Sequence, residues 1–336
     1  MKILYLTHHW YNNSHHSQYS GFQRLAVYAA KYHEVTVITW GDENKIFYDN
    51  DNIKTIIIKP FFKNSFLIRY IISLKGRSIS NEYDVIHSLY SDCAYFLKKN
   101  TYIVTFHILP KIIQNNTLKG KIFIWMKYFL IQKKVIKNAK FITCVSSNLL
   151  NLLSASKNIK FIPHGIDTLY WNISRSDIAN KNEKMVICIG YHGLDLNLLK
   201  KLIENNLDYD FYLIGENYAN FNYTNCYKYT NRISDDELKN LYTKANFMLR
   251  PVIFSTANNS ILEAMAMGCI IITNNIAGIN DYINKQNGIF IENLINYKFN
   301  FKKENLEIIR NNSLNSIYNS FSWEKIFKQY EGIYKL

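Results

Sequence analysis

Residues 255–268 combine a polar loop with a helical pattern that could bind a phosphate. The sequence Ser-Thr-Ala-Asn-Asn-Ser-Ile-Leu-Glu-Ala-Met-Ala-Met-Gly lies between two apolar runs, which predicts strand, loop, short helix and strand. A helix that begins in a polar loop presents free backbone N–H groups and the positive end of its dipole, and both attract a phosphate. The Glu263 carboxylate could accept hydrogen bonds from sugar hydroxyls. The alternative is an ordinary crossover between strands, which needs no ligand.

The elements that position this segment alternate between strand and helix along the chain. The predicted strands are 2–7, 34–39, 54–58, 85–89, 101–106, 141–145, 160–162, 185–189, 211–214, 226–229, 247–249, 270–273 and 288–291. The predicted helices are 21–31, 118–138, 196–205, 235–244, 261–267, 278–283 and 303–318. This alternation is typical of parallel sheets with helices on both faces, and residues 163–180 look like a linker between two such sets. Ligands of such folds bind at the carboxyl ends of the strands, so we expect the active site in a cleft between two domains.

Length and composition agree with two domains and indicate a reducing compartment. A chain of 336 residues with 48% hydrophobic residues can fill two cores. The five cysteines show no Cys-x-x-Cys spacing, which favours buried thiols over disulfides or metal ligands. The N-terminal apolar run is too short for a signal peptide, and no run of about 18 apolar residues could span a membrane. We expect a cytoplasmic protein that can associate peripherally with the inner face of the cell membrane.

The net charge of +14 lies almost entirely in the first half of the chain. Residues 1–170 hold 22 Lys and Arg against 9 Asp and Glu, whereas the remainder holds 18 against 17. This asymmetry favours a partner of opposite sign: a nucleic acid, an anionic membrane surface or an acidic substrate. A biased codon usage would raise Lys in both halves and does not explain the difference. No nucleic-acid-binding motif is present, so we expect no nucleic-acid partner.

Five segments, in this order, resemble the family-4 glycosyltransferases. They are Ser-Gly-Phe-Gln at 20–23, Phe-Ile-Pro-His-Gly-Ile-Asp at 161–167, Arg-Ile-Ser-Asp-Asp-Glu-Leu at 232–238, Leu-Glu-Ala-Met-Ala-Met-Gly at 262–268 and Phe-Ser-Trp-Glu-Lys at 321–325. The resemblance implies the GT-B fold, an α/β fold with two Rossmann-like domains facing across a cleft. It implies an N-terminal acceptor domain at 1–165, a nucleotide-sugar donor domain at 166–320 and a C-terminal helix at 321–336 that crosses back to the first domain.

The resemblance makes Glu263 the second Glu of the family's Glu-x7-Glu motif, which binds the ribose hydroxyls of the donor. The first Glu is replaced by Ser255. Thr256, Asn258 and Asn259 offer neutral hydrogen-bonding groups instead, as in the variant pattern Ala-Asn-Asn-x-x-Leu-Glu-Ala-Met-Ala. The alternative for the two asparagines is a capping or turn role.

A second departure concerns the cations that face the donor diphosphate. The family has Gly-Arg and then a Lys after the first strand of the donor domain, whereas this chain continues from Gly190 to Tyr191 and His192, and its next lysine is Lys200. Protonated His192 or Arg250 could replace the missing cations. The alternative for Arg250, which stands at a strand end, is a structural ion pair.

The remaining site predictions follow from the same resemblance. His107, in a Thr-x-His pattern at a strand end, is expected near the transferred sugar, although a structural role is the alternative. The expected catalytic residues are His107, Arg250, Asn258 and Asn259. The expected donor-binding residues are Gly21, Gly190, Tyr191, His192, Arg232, Ile233, Thr256, Ala257, Ser260, Ile261, Leu262 and Glu263. No metal is expected, because the histidines after the first strand lie in a loop and Asp208-Tyr209-Asp210 reads as a turn before a strand.

Two segments mix lysines with aromatic residues, at 59–70 and 119–134. This mixture suits an anionic lipid surface, although a helix packed on two sides is the alternative. The resemblance to family-4 glycosyltransferases implies a retaining, metal-independent glycosyltransferase without a cofactor. It would move a sugar from a nucleotide-diphosphate sugar to a glycan or lipid-linked acceptor in bacterial surface polysaccharide synthesis. A catalytically silent GT-B subunit that binds a partner transferase or glycan is the alternative.

Overall fold

The computed structural model describes residues 1–10, 21–61, 64–108, 131–153, 158–190, 193–291 and 297–336, without the side chains of residues 65 and 66. These residues form two compact units. The first unit consists of the described residues up to Pro163 together with Ile326–Leu336, and the second consists of His164–Lys325. Each unit is built on its own sheet, and the two are described separately below.

The first unit has an eight-stranded sheet in the order β3-β4-β2-β1-β5-β6-β7-β8. Its strands are β1 (Lys2–Leu6), β2 (Glu34–Trp40), β3 (Lys45–Tyr48), β4 (Lys54–Ile58), β5 (Val85–Ser88), β6 (Ile103–Phe106), β7 (Phe141–Cys144) and β8 (Ile159–Phe161). Only β3, at one edge, is antiparallel to its neighbour. The sequence predicted the seven parallel strands and missed β3.

The helices of the first unit are α1 (Arg24–Ala30), α2 (Ser65–Ile79), α3 (Lys133–Asn138) and α4 (Asn148–Leu152). The sequence did not predict α2. Of the predicted helix 118–138, residues 118–130 lie outside the described residues, and α3 is its last part. Ile68 and Ile72 of α2 join Leu4 and Leu6 of β1 in one buried core.

The second unit has a six-stranded parallel sheet in the order β11-β10-β9-β12-β13-β14. Its strands are β9 (Asn182–Ile189), β10 (Asp210–Ile214), β11 (Cys226–Tyr229), β12 (Ala245–Arg250), β13 (Ile270–Thr273) and β14 (Ile289–Phe290), and its helices are α5 (Arg175–Ala179), α6 (Leu196–Asn205), α7 (Asp235–Lys244), α8 (Asn259–Ala266) and α9 (Lys303–Ser316). Alternate residues of β9 enter two separate cores, so both faces of this sheet are covered. The predicted helix 278–283 is wrong: Gly278 has φ +88° and the segment forms turns.

The last helix, α10 (Trp323–Tyr334), begins in the second unit, and its residues from Ile326 onward belong to the first. Inside the first unit the Tyr334 hydroxyl lies 3.0 Å from the Tyr5 hydroxyl and 2.7 Å from His87 Nδ1. His87 Nε2 lies 2.8 Å from the Thr105 hydroxyl, and all four side chains are buried. These bonds satisfy polar groups that would be costly to bury alone, and they fix the end of α10 to the sheet.

Three further predictions can be compared with this fold. None of the five cysteines, all of which are described, forms a disulfide. Asp210 begins β10, and Asp208 pairs with Lys184 at 3.9 Å, so the Asp-x-Asp segment lies at the amino end of its strand. No helix within the described residues is long and apolar enough to cross a bilayer.

Candidate functional site

The candidate donor site is the carboxyl edge of the second sheet, where the neighbouring strands β9, β12 and β13 end at Ile189, Arg250 and Thr273. The loops that leave these strands are bonded to one another. Val252 N donates to Asn274 Oδ1 at 2.8 Å, and Asn274 Nδ2 donates back to the Val252 carbonyl at 2.7 Å. These bonds join the loops after β12 and β13, and the loop after β9 joins them through Gly193, whose carbonyl accepts from Ile253 N.

Gly193 allows the closest approach between two of these loops. Its φ is +68°, and a Cβ placed on it would overlap the Phe254 carbonyl oxygen, well inside the 3.0 Å that real Cβ atoms respect. Its own carbonyl accepts from Ile253 N at 2.7 Å. Only glycine combines this backbone conformation with this contact, so the residue type is dictated by the geometry.

The helix α8 begins at this edge. Asn258 precedes its first turn with extended backbone angles, and its side chain does not cap the helix. The Asn258 Oδ1 atom instead accepts from the Ser260 hydroxyl at 2.8 Å. The first-turn N–H groups of Asn259, Ser260 and Ile261 are thus not bonded by the capping side chain, which is the arrangement that binds anions at a helix start.

Glu263 lies one turn into α8 and is 5% exposed. The Tyr242 hydroxyl, on α7, lies 3.3 Å from Glu263 Oε2 and 3.4 Å from the Ser260 carbonyl oxygen, and it donates to this pair of acceptors. Burial, and after it the negative charge of Glu263, raises the Tyr242 pKa well above its usual value, so this hydroxyl stays a donor. The bond orients a carboxylate whose other oxygen is not held by Tyr242, and a carboxylate so oriented can accept from two vicinal hydroxyls.

Arg250 and Gly190 are in direct contact. Arg250 is 4% exposed, its Nη1 donates to the Ile189 carbonyl, and burial lowers its pKa. Gly190 has φ +86°, and a Cβ there would lie 2.9 Å from Arg250 Nη1. On the other side the Tyr218 hydroxyl donates to the Gly190 carbonyl at 3.1 Å. The guanidinium keeps its charge, because arginine does not deprotonate in proteins.

Ser255, at the position of the family's first Glu, is 7% exposed, and its Oγ has no hydrogen-bond partner among the described residues. A buried hydroxyl without a partner costs free energy that a bound polar ligand can recover. The loop that follows leaves Thr256, Ala257 and Asn259 half-buried. These residues border the start of α8 and can contact a ligand there.

The other residues predicted to bind the donor have buried side chains, lie after the edge strand β11, or lie outside the described residues. Ile261 and Leu262 have fully buried side chains in the core, so they can contact a ligand only through their backbone. Arg232 is exposed and Ile233 half-buried, in the loop after β11 at the far end of the sheet. Tyr191 and His192 lie outside the described residues, so the proposed cationic role of His192 stays a prediction.

His107 and Gly21 lie in the first unit. His107 Nε2 donates to the Leu89 carbonyl at 2.9 Å, and burial lowers the His107 pKa to about 4, so the ring is neutral at pH 7. Gly21 has φ +119°, and a Cβ there would meet Gln23 Oε1 at 2.5 Å. The next residue, Phe22, packs edge-on against the His107 ring at 4.7 Å.

Four partly exposed rings, His8, His9, Tyr90 and His107, form what we call the aromatic shelf. They follow the neighbouring strands β1, β5 and β6, with centroids 4.0 Å apart for His8 and His9, 5.2 Å for His9 and Tyr90, and 4.7 Å for Tyr90 and His107. Arg69 Nη2 lies 3.0 Å from His8 Nε2, which makes that nitrogen an acceptor. His8 and His9 were expected in a loop and Tyr90 was not predicted, although all three follow predicted strands.

Comparison with known protein families identifies both halves of the chain. Residues 22–169 match the family model Glycosyltransferase Family 4, and residues 194–297 match the model Glycosyl transferases group 1. A curated relative, the uncharacterized glycosyltransferase MJ1607 of Methanocaldococcus jannaschii, is 26% identical over 116 residues. That match spans 31% of this chain and only 29% of the relative's length.

Solved structures match nearly the whole chain. Sucrose-phosphate synthase from Thermosynechococcus elongatus has a TM-score of 0.73 at 14% identity, covering 99% of this chain and 98% of that one. Anabaena HepE, solved in complex with UDP and glucose, has a TM-score of 0.69 at 15% identity, with both chains fully covered. WaaG, described as a glycosyltransferase involved in lipopolysaccharide biosynthesis, has a TM-score of 0.63 at 14% identity, covering 98% and 95%.

The two sheets and these likenesses confirm the predicted GT-B fold. The two family models add that each half of the chain matches a glycosyltransferase domain, family 4 in the first half and group 1 in the second.

Proposed function

We propose that this protein is a retaining glycosyltransferase that uses a nucleotide-diphosphate sugar as its donor. The observation that best supports the donor is the pair formed by Glu263 and the start of α8. A carboxylate oriented by Tyr242 and a helix start without a side-chain cap lie one turn apart on one helix. The carboxylate suits ribose hydroxyls, and the helix start suits a diphosphate.

Arg250 is proposed to stabilise the leaving group. It ends β12 at the same edge, against Gly190, where a rigid and largely water-excluded cation interacts more strongly with developing phosphate charge than it would in water. In the reaction the bond between the anomeric carbon and the diphosphate oxygen breaks. The acceptor hydroxyl oxygen bonds to the same face of that carbon, and its proton passes to the leaving phosphate. This route requires no protein nucleophile.

The aromatic shelf is proposed to hold the acceptor. Aromatic rings pack against the C–H faces of sugars while their polar atoms bond hydroxyls, and the shelf lies at the carboxyl edge where α/β sheets bind ligands. His107 is neutral at pH 7, so it suits a hydroxyl better than an anion. WaaG is involved in lipopolysaccharide biosynthesis, and this likeness favours a glycan or lipid-linked acceptor of a bacterial surface polysaccharide.

Glu263→Gln tests the donor assignment. The amide keeps the size of the side chain and still accepts from Tyr242, but it loses the charge that strengthens the hydroxyl bonds. We expect the affinity for a nucleotide sugar to fall about 10- to 100-fold, because a hydrogen bond to a charged group contributes about 1.5–3 kcal/mol. Calorimetric titration with UDP-, GDP-, ADP- and TDP-sugars measures this loss. The control is Glu304→Gln, on the exposed start of α9.

Two results would contradict the proposal. If wild-type protein binds none of these nucleotide sugars at millimolar concentration, the donor assignment is wrong and the catalytically silent subunit becomes the better reading. If Glu263→Gln and Glu304→Gln bind a donor equally well, the ribose contact lies elsewhere. Retention is tested separately, by NMR assignment of the anomeric configuration of the product.

A further inference from the structure

An open apolar trough lies on the first unit between α2 and the edge strand β3. It has a volume of about 690 Å³, and its walls include Ile46 of β3, Ile58 of β4, and Ile71 and Leu74 of α2. Lys45 and Lys75 line it as well. None of these residues belongs to the donor site or to the aromatic shelf.

Several large apolar side chains of the trough are exposed to solvent, which is unfavourable unless another surface covers them. Ile46 is 63% exposed and Leu74 49% exposed. Leu67, two turns before Leu74 on the same face of α2, is 44% exposed. An amphipathic helix that faced only water would place polar residues on this side. A continuous apolar surface of this kind marks a contact with a protein or a lipid.

The charge around the trough selects between those two partners. Lys45 and Lys75 line the trough directly, and the backbone N–H of Lys59 donates to Asn44 Oδ1, another lining residue, at 2.8 Å. Glu43 offsets part of this charge, 3.8 Å from Lys45 on the exposed surface. Apolar side chains bordered by lysines match the layered chemistry of an anionic bilayer, with headgroups above hydrocarbon.

We propose that the trough and the adjoining face of α2, which includes Leu67, are the surface by which this protein docks on an anionic lipid bilayer. The lysines bond the headgroups, and the apolar side chains enter the interfacial layer. The proposal deepens the proposed function, since it gives a lipid-linked acceptor a route to the enzyme. The Lys59 end of the trough lies at the same carboxyl edge as the aromatic shelf. Four inter-strand spacings separate β4, which precedes Lys59, from β6, which precedes His107, so these two strands lie about 19 Å apart across the sheet.

Vesicle flotation of the full chain tests the surface. The vesicles are phosphatidylcholine alone or phosphatidylcholine with phosphatidylglycerol, at low and high salt. Wild type should float with the anionic vesicles, and less so at high salt. We expect Ile46→Ser with Leu74→Ser to weaken binding at least tenfold at either salt concentration. Lys45→Gln with Lys75→Gln should weaken it roughly fivefold for each lysine, chiefly at low salt.

Matched controls come from the second unit. Leu207 and Ile308 are 64% and 61% exposed, and Lys201 and Lys285 are exposed. Their serine and glutamine variants should float like wild type. The proposal is overturned if the trough variants also float like wild type. It is equally overturned if light scattering without vesicles shows a dimer that Ile46→Ser with Leu74→Ser dissociates, because the occupant is then a second copy. Nucleotide-sugar binding, measured on the same samples, reports on the proposed function separately.

Discussion

Gly193 lies at the carboxyl edge of the second sheet, which we call the donor edge. Replacing it by alanine should disrupt this edge more than a glycine-to-alanine substitution at any other position there. The new Cβ meets the Phe254 carbonyl oxygen, which is backbone and cannot rotate away, and φ is +68°. A left-handed residue with a side chain costs about 1–2 kcal/mol, and relieving the overlap adds about 1–2 kcal/mol. We therefore expect the second unit to lose about 2–4 kcal/mol of unfolding free energy.

Gly332 provides the matched control. It lies inside α10, and a Cβ there meets nothing within 4 Å. Alanine at this position should stabilise the helix by about 0.5–1 kcal/mol, so the same chemical change has opposite signs at the two positions. Thermal unfolding should show a decrease of about 5–12 °C for Gly193→Ala and a small increase for Gly332→Ala.

Donor titration completes this experiment. Gly193→Ala should weaken nucleotide-sugar binding, because the loops that bear Gly190 and Ser255 must separate to admit the methyl group. Gly332→Ala should bind a donor like wild type. A melting temperature of Gly193→Ala within about 1 °C of wild type would refute the reasoning, since neither the backbone overlap nor the positive φ could then be real.

Two further predictions concern buried polar groups. Tyr242→Phe removes the bond to Glu263, so urea unfolding should show a loss of about 1–2 kcal/mol, and donor titration a several-fold weaker affinity. Unchanged donor affinity would show that Tyr242 does not orient Glu263. Burial lowers the His87 pKa to about 3, so the unfolded chain binds the extra proton and stability is lost as the pH falls from about 6.5 toward 3, by up to about 1.4 kcal/mol per pH unit. His87→Gln should flatten this part of the stability profile, and an unchanged slope would contradict the assignment.

The sequence predicted the elements whose signal is local. Buried parallel strands are continuous apolar runs, and all of the predicted ones are present. The edge strand β3 was missed because it is exposed and has only one neighbour. The helix α2 was missed because its outward face is also apolar, which hides the helical period. Residues 278–283 have a helical pattern, but Gly278 adopts a positive φ and the residues after it form turns.

The candidate site was predictable in its residue types and not in its contacts. Glu263 could be identified from a motif within one helix. Its partner Tyr242 is 21 residues earlier on another helix, and only the packed unit brings them together. The contact of Gly193 with the Phe254 carbonyl joins loops from two different strands in the same way. Such pairings depend on the order of strands in the sheet, which no local pattern specifies.

The donor edge departs from the family pattern in a way that preserves its charge. The family pattern has a Glu where this chain has Ser255, and an Arg and a Lys that this chain lacks near Gly190. The loss of one negative and two positive charges is a net loss of one positive charge, which is offset by Arg250, at a strand end that is apolar in the family. The sum over these positions is therefore one positive charge in both cases. Loss of function at the site would not be expected to keep this charge balance, or to retain a buried arginine, Arg250, against Gly190. The balance supports the proposed role of Arg250 as the cation that faces the donor diphosphate.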